Sequence, residues 1–375
     1  EINRSELVDD KMIGCSAIIL AGLSYQEKEN YLNYGQNLLK KIINSSFDNQ
    51  YFPLSRSIRQ LTFYLKYFVL IRELLKESFN EIPEYLDEII FYLGKAYEFI
   101  WGSSKRNLLF NGNQESNTSD FNRYLSLHRY KFKNTDNQLG GYVILKNKTA
   151  MIAMDIGPSA EKNFSYNFQS GPLSFEFFFK DKKIITNSGY FQNYKHQLNQ
   201  ISKSTAVHST LIIDNTSASS FRKNKNGSNI LNKGYKISNK DIIHQKNFWS
   251  IKGSHDGYLT NYGIIHERVL EFYPETNKII GKDKLIKKKN FKSSNFEIRF
   301  HLMPDTKVTK ILDNKSALVE IENSGWKFFS EDGVVGIETG LYFGKKNKFQ
   351  ENQNIFINGI TDKNEQLIKW ELSKI

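Results

Sequence analysis

The sequence has one cysteine, six prolines and no apolar run approaching the ~18 residues that cross a bilayer as a helix. The lone Cys15 excludes an internal disulfide and a thiolate metal site, and its Ala/Ile-rich surroundings predict a buried small apolar residue. No glycine-rich phosphate loop is present, and Gly140-Gly141 reads as a turn before a strand. Compact Lys/Arg blocks and nucleic-acid motifs are also missing, so nucleic acid is not an expected partner. Residue 1 is Glu, and no charged-then-apolar leader precedes the first helical pattern. The chain therefore reads as cut from a longer precursor, with secretion untested at this end.

What is present is enough for two domains and a large core: 375 residues, 39% hydrophobic and 14% aromatic. A formal net charge of +12 would attract a polyanion. Lys, Asn and Ile are abundant throughout, which explains the same charge by composition alone.

From Glu6 to about Ser103 the apolar residues recur at three and four positions. Ser24-Tyr-Gln-Glu27 reads as a capping box opening a helix over Tyr25 to Ile43. Phe63, Leu65, Tyr67, Phe68, Leu70, Ile71, Leu74 and Leu75 give the next helix an almost all-round apolar surface, and Pro83 suits the first turn of another. Such helices must pack between neighbours, as in stacked antiparallel hairpins. Between Leu109 and Asn137 the pattern breaks into a connector. After Gly140-Gly141 the period becomes two, punctuated by Asn226-Gly227, Asp256-Gly257 and Asp332-Gly333. The expected fold is α+β and multidomain, with helices over 1–137 and an antiparallel β-sandwich over 138–375.

His208 stands among Ser204, Thr205, Ser209 and Thr210, with Asn187 and Tyr190 about twenty residues earlier. On these residues alone His208 is either a satisfied structural group or a catalyst. The surrounding motifs are Gly171-Pro-Leu-Ser-Phe-Glu176, Thr186-Asn-Ser-Gly-Tyr190 and Ser204-Thr-Ala-Val-His-Ser-Thr-Leu211. With Phe110-Asn-Gly112, Asp155-Ile-Gly157, His255-Asp-Gly-Tyr258, His266-Glu-Arg268 and Arg299-Phe-His301 in order, the chain resembles the heparinase II/III-like polysaccharide lyases. Asn at position 187 is similar to an alphaproteobacterial-like branch of that family.

The resemblance implies an incomplete α/α toroid of helical hairpins followed by the sandwich, with His208 in a cluster at the sandwich face that meets the toroid. It also implies a periplasmic or cell-envelope location and an acidic polysaccharide as partner. Many members carry two histidines just before Leu-Ser-Phe, and one of them holds a structural zinc with an aspartate and the His of the T-x-x-H motif. Here those positions read Asn167, Gln169, Gly171, Asn187 and His208. Amide oxygens are poor zinc ligands, so no zinc and no other cofactor is expected. A hydrogen-bonded cluster of Gln169, Asn187 and His208 is expected to occupy the same volume.

The implied chemistry is β-elimination of a uronate: a base removes the proton alpha to the carboxylate, an acid protonates the leaving oxygen, and the carboxylate's growing charge is offset. Tyr190 and His208 are the candidates for proton transfer. Arg56 is the candidate for the substrate carboxylate, and Asn111 and Gln114 for sugar hydroxyls. Asn167, Gln169 and Asn187 complete the expected contacts. The family's toroid tyrosine has no clear counterpart, and Gln60 stands near its place. Two alternatives remain open: a non-catalytic glycan-binding protein that keeps the cleft, and an exopolysaccharide-assembly component. His255 and His266 read as structural, while His128 lies in the connector.

Overall fold

A computed structural model describes residues 7–25, 29–102, 107–289 and 292–375. The chain divides into two compact units, one of residues 1–104 and 116–140, the other of 105–115 and 141–375. The first is helical and the second is built from antiparallel sheets, so the fold is α+β and multidomain. Among the described residues no helix is long and apolar enough to cross a membrane.

The helical unit contains α1 (Val8–Ser24), α2 (Glu29–Ser46), α3 (Ile58–Glu77), α4 (Glu84–Ile100) and α5 (Ser119–Leu127). Ser24 does not open a helix: it ends α1, its hydroxyl donating to Leu20 O at 2.8 Å. The expected capping partner Glu27 lies outside the described residues. Pro83 does stand at the start of α4, where its fixed φ is suited to a first turn. The connector contains α5, a nine-residue helix whose one buried side chain is Leu125, too small an apolar face to stand out in the sequence.

α1 and α2 approach closely because Gly22 and Gly35 face them: a Cβ on Gly22 would lie 2.5 Å from Leu32 N. Cys15, fully buried, donates its thiol to Gly35 O at 3.2 Å. α3 buries Leu61, Leu65, Phe68, Ile71 and Leu75, and Tyr64 meets Phe47 edge-on at 4.9 Å. His128 bonds to Glu73 Oε2 at 3.0 Å, and Tyr130 donates to the other oxygen of the same buried carboxylate. Burial opposes ionisation of Glu73, yet these hydrogen bonds, with Lys76 nearby, hold its carboxyl below the usual range.

In the second unit Tyr142–Lys146, Ala150–Asp155, Phe175–Phe179 and Lys182–Ile185 pair in chain order. An eight-stranded sheet runs in the order Lys307–Lys310, Ser316–Ile321, Ser324–Ser330, Glu365–Lys374, Lys278–Lys287, Ile264–Tyr273, Trp249–His255 and Ile237–His244. A third sheet joins Val334–Tyr342, Gln350–Ile360, Asn295–His301 and Leu211–Ile213. Aromatic rings lock the three together: Trp370 stacks on Phe175 at 5.7 Å and meets Phe300 edge-on at 4.6 Å, while Trp326 meets Phe177 at 5.4 Å. Ile264–Tyr273 alternates strictly between buried and half-buried positions, so His266 and Arg268 point inward with Leu270 and Phe272.

Candidate catalytic site

Three loops of the β unit carry the motif residues, and each is held by buried polar groups. The first, Gln169 to Ser174, turns back on itself, Ser174 N and Oγ both donating to Gly171 O. Leu173 sits at φ 57, a left-handed conformation uncommon for a leucine, and its carbonyl accepts from Arg268 Nη1 at 3.0 Å. The His208 ring lies directly against Gly171: a Cβ there would fall 2.5 Å from His208 Cδ2. Only glycine permits that approach.

The second loop, Thr186 to Tyr190, is organised by Glu176. This fully buried carboxylate accepts from Asn187 N at 2.9 Å, from Leu109 N at 3.2 Å and from Lys183 Nζ at 3.0 Å. Asn187 Oδ1 accepts from Ser209 N at 2.9 Å, which joins the second loop to the third. Ser209 Oγ then donates to Thr186 O and accepts from His301 N.

The third loop, Lys203 to Thr210, contains the 3-10 turn Thr205–Val207, after which His208 is extended and the strand Leu211–Ile213 begins. His208 thus lies just before this strand and not on it. Its Nδ1 is 2.9 Å from Ser204 O, and a carbonyl only accepts, so the Nδ1 proton is fixed there. Burial lowers the His208 pKa to about 4, partly offset by that bond. The ring is therefore neutral near pH 7 and Nε2 carries the lone pair. Next to it His301 follows the same logic: Nε2 donates to Ala206 O at 3.0 Å, and Nδ1 takes the Ser188 hydroxyl at 3.2 Å.

Gln169 is saturated. Its Oε1 accepts from Gly112 N at 2.9 Å, and its Nε2 donates to Gly189 O and Ser202 O at 2.9 and 2.6 Å. Asn111, at φ 39, gives Nδ2 to Tyr142 Oη and Asp155 Oδ2 and takes Gln169 N. Gln114 donates to Tyr190 O at 2.7 Å and accepts from Gln192. Asn167, half-buried at the end of a 3-10 turn, has no side-chain hydrogen bond among the described residues. Tyr190 is 2% exposed; its phenol donates to Tyr166 O at 3.2 Å and accepts from Asn199 Nδ2 at 3.0 Å. The β unit thus brings together Asn111, Gln114, Gln169, Asn187, Tyr190 and His208. Arg56 and Gln60 belong to the helical unit, where Arg56 Nε donates to Gly140 O and Gln60 Nε2 to Asp9 Oδ1.

The donor set does not fit a zinc ion at the positions that the family resemblance marks. Gln169 and Asn187 have their oxygens turned to backbone N–H groups, and His208 alone is an N/S/carboxylate ligand there. Among the described residues no three His, Cys, Asp or Glu side chains form a metal-holding group.

Beneath the loops runs a chain of buried groups that begins with His255 and His266, the two histidines read from sequence as structural. Gly257 N donates to His255 Nδ1, which leaves His255 Nε2–H to donate to His266 Nδ1 at 3.1 Å and His266 Nε2–H to donate to Asp283 Oδ1 at 2.6 Å. Asp283 also accepts from Arg268 and Trp370 Nε1. Although burial opposes its ionisation, the adjacent Arg268 and His266 keep this carboxyl well below its ordinary value. Arg268 spends Nη1 on Leu173 O and Ser209 O, one from each of two site loops. Sequence reasoning did not assign Arg268, Glu176, His301 or Lys203 to the site. The first three stand inside motifs it had quoted; Lys203 adjoins Ser204 with no signal of its own.

A heparinase II/III-like, C-terminal family model matches residues 134–371. No curated protein matches the chain in sequence. Among solved structures, heparan sulfate lyase HepC from Pedobacter heparinus superposes with a TM-score of 0.76 at 14% identity, over 97% of this chain and 60% of that one. A heparinase III gene product gives 0.80 at 15% identity, over 100% and 60% respectively. A further heparinase III gives 0.76 at 13%, over 99% and 62%. The chain spans about three-fifths of the length of these structures. On the family match over more than half its residues, the chain belongs to the heparinase II/III-like family.

Proposed function

We propose that this protein is a polysaccharide lyase that cleaves an acidic, uronate-containing glycan by β-elimination in the periplasm or cell envelope. The observation that carries the reading is His208: its Nδ1 proton is pinned on Ser204 O, so the ring presents an acceptor nitrogen in the form a general base needs. Family membership and the similarity to a heparan sulfate lyase support the substrate class. The +12 formal charge supports it as well.

The protonation states divide the roles. Near neutral pH the imidazole lacks the second proton, and the Tyr190 phenol is a hydrogen-bond donor, so His208 Nε2 takes the proton alpha to the carboxylate and Tyr190 gives one to the leaving oxygen. A neutral His208 supplies no positive charge, so offsetting the uronate carboxylate's charge falls to other groups; Asn167, the amide of the set with its side chain unspent, donates hydrogen bonds to it without adding charge. Asn111, Gln114, Gln169 and Asn187 serve as the frame that fixes the loops, and Arg56 and Gln60 remain candidates for substrate contact. No zinc takes part, and elemental analysis of purified protein is expected to find none in stoichiometric amount; one zinc per chain contradicts this.

Mass spectrometry of products from alginate, heparan-type, chondroitin-type and polyglucuronate substrates tests the reading. Elimination leaves a new chain end lighter by one water than hydrolysis does. Fragments bearing that end are the expected result; intact polymers throughout overturn it.

A second reading, glycan binding without cleavage, is favoured by the near-complete burial of both His208 and Tyr190. Retention of a polymer on immobilised protein without any product is its signature.

A further inference from the structure

Lys203 is 1% exposed and has no carboxylate partner among the described residues. Its Nζ donates to Tyr166 O and Asn229 O, each at 2.5 Å, and lies 5.5 Å from the centre of the Phe221 ring. An ammonium buried against carbonyls and an aromatic face costs stability unless something else requires it. The Tyr166 phenol accepts from Asn224, and the Tyr190 phenol donates to the Tyr166 carbonyl. The Tyr166 carbonyl is shared: it accepts from Lys203 Nζ at 2.5 Å and from Tyr190 Oη at 3.2 Å. The two donors are therefore separated by at most the sum of those two lengths. Asn199, 1% exposed, gives Nδ2 to Tyr190 Oη, and its Oδ1 has no hydrogen-bond partner among the described residues.

We propose that Lys203 is the positioning and charge-supplying partner of Tyr190, acting through the phenol and not on the substrate. The proposal rests on the lyase reading for its use and on the geometry alone for its existence. When Tyr190 gives its proton to the leaving oxygen, the O–H bond breaks and a phenolate remains. The Lys203 ammonium stabilises that anion and then passes it one proton, leaving a neutral amine that regains a proton from solvent. Burial lowers the Lys203 pKa to about 7, so the reservoir is part-filled at neutral pH and empties as pH rises. At this separation a fixed positive charge shifts a neighbouring phenol by roughly one to two pH units.

The test labels tyrosine at Cζ, assigns the Tyr190 carbon signal by its loss in Tyr190→Phe, and follows it with pH in wild type, Lys203→Arg and Lys203→Met. Arginine keeps its charge at high pH, so the phenol is expected to ionise about one to two units lower in Lys203→Arg than in Lys203→Met. Equal midpoints overturn the proposal. If Lys203→Met does not fold, wild type decides: its Tyr190 signal should show a step near pH 7 that Lys203→Arg lacks, and no step in wild type overturns the proposal. Both comparisons need no substrate, so failure to find lyase activity leaves them standing. On an active enzyme, the alkaline fall in kcat near pH 7 should move upward in Lys203→Arg. An unmoved limb contradicts the proposal.

Discussion

The two units bury polar groups in opposite ways. In the helical unit the interior is almost wholly aliphatic and aromatic, and its buried acid, Glu73, is met by Tyr130, His128 and Arg72. In the β unit Glu176, Asp283, Arg268, Lys203 and four histidines lie inside. Each buried charge costs stability unless it is matched, and here the partners are side chains and backbone together: Asp283 is met by Arg268, His266 and Trp370, Glu176 by Lys183 and Asn187 N, and Arg268 by the carbonyls of Leu173 and Ser209 in the loops around His208. Apolar packing fixes the shape of the helical unit. The β unit spends buried charge to fix directions, and direction is what proton transfer needs.

The contrast is broken most severely by Arg268→Met. It strips Asp283 of its main counter-charge and releases Leu173 O and Ser209 O, so the β unit should lose about 3–5 kcal/mol in denaturant unfolding. An apolar change of similar size in α3, such as Leu65→Ala, should cost about 2–5 kcal/mol without disturbing the His208 signals.

Acid separates the units next. His208 titrates at about 4 and His301 at about 3 in the fold, and His255 and His266 are also lowered by burial. Unfolded histidines take their proton near 6.5, so below that pH the unfolded chain binds more protons and the β unit loses stability as pH falls toward 4, on the order of 3 kcal/mol for His208. Glu73 has a lowered value, so its contribution is complete above the ordinary carboxylate pKa and is lost only at lower pH. Trp249, Trp326 and Trp370 lie in the β unit, so tryptophan fluorescence should change at a higher pH than helical ellipticity. Coincident transitions would contradict this.

Gly171→Ala is a smaller and sharper change. The added methyl meets the His208 ring, so a loss of about 1–3 kcal/mol should accompany displaced His208 resonances. The smallest effect belongs to the helical unit: burial pushes the Cys15 thiol up to about 12, so it should resist thiol reagents at pH 8 until the protein unfolds.

Much of this contrast is legible in the sequence. The apolar spacing around Phe68 and Ile71 marks a packed helix, and alternation marks the strands, because both signals are local. The motif around His208 marks the candidate site. What is not legible is non-local. Residues 109–115 look like connector yet belong to the β unit, since Gly112 N finds Gln169 and Leu109 N finds Glu176 far along the chain. Ser24 carries the signature of a helix start and ends one instead, because its hydroxyl turns back to Leu20. Lys203 is a solitary lysine between two serines, and nothing in its neighbours tells that its ammonium shares a carbonyl with Tyr190.

The most direct test follows far-ultraviolet absorbance while wild type, His208→Ala and Tyr190→Phe are each incubated with the uronate polymers. A conjugated double bond that accumulates with wild type, and falls at least a hundredfold in rate with either variant, is the predicted result, since one positioned proton-transfer group contributes roughly 10²–10⁴. Undiminished absorbance with His208→Ala, in a protein that still folds, would contradict the assignment of His208 as base.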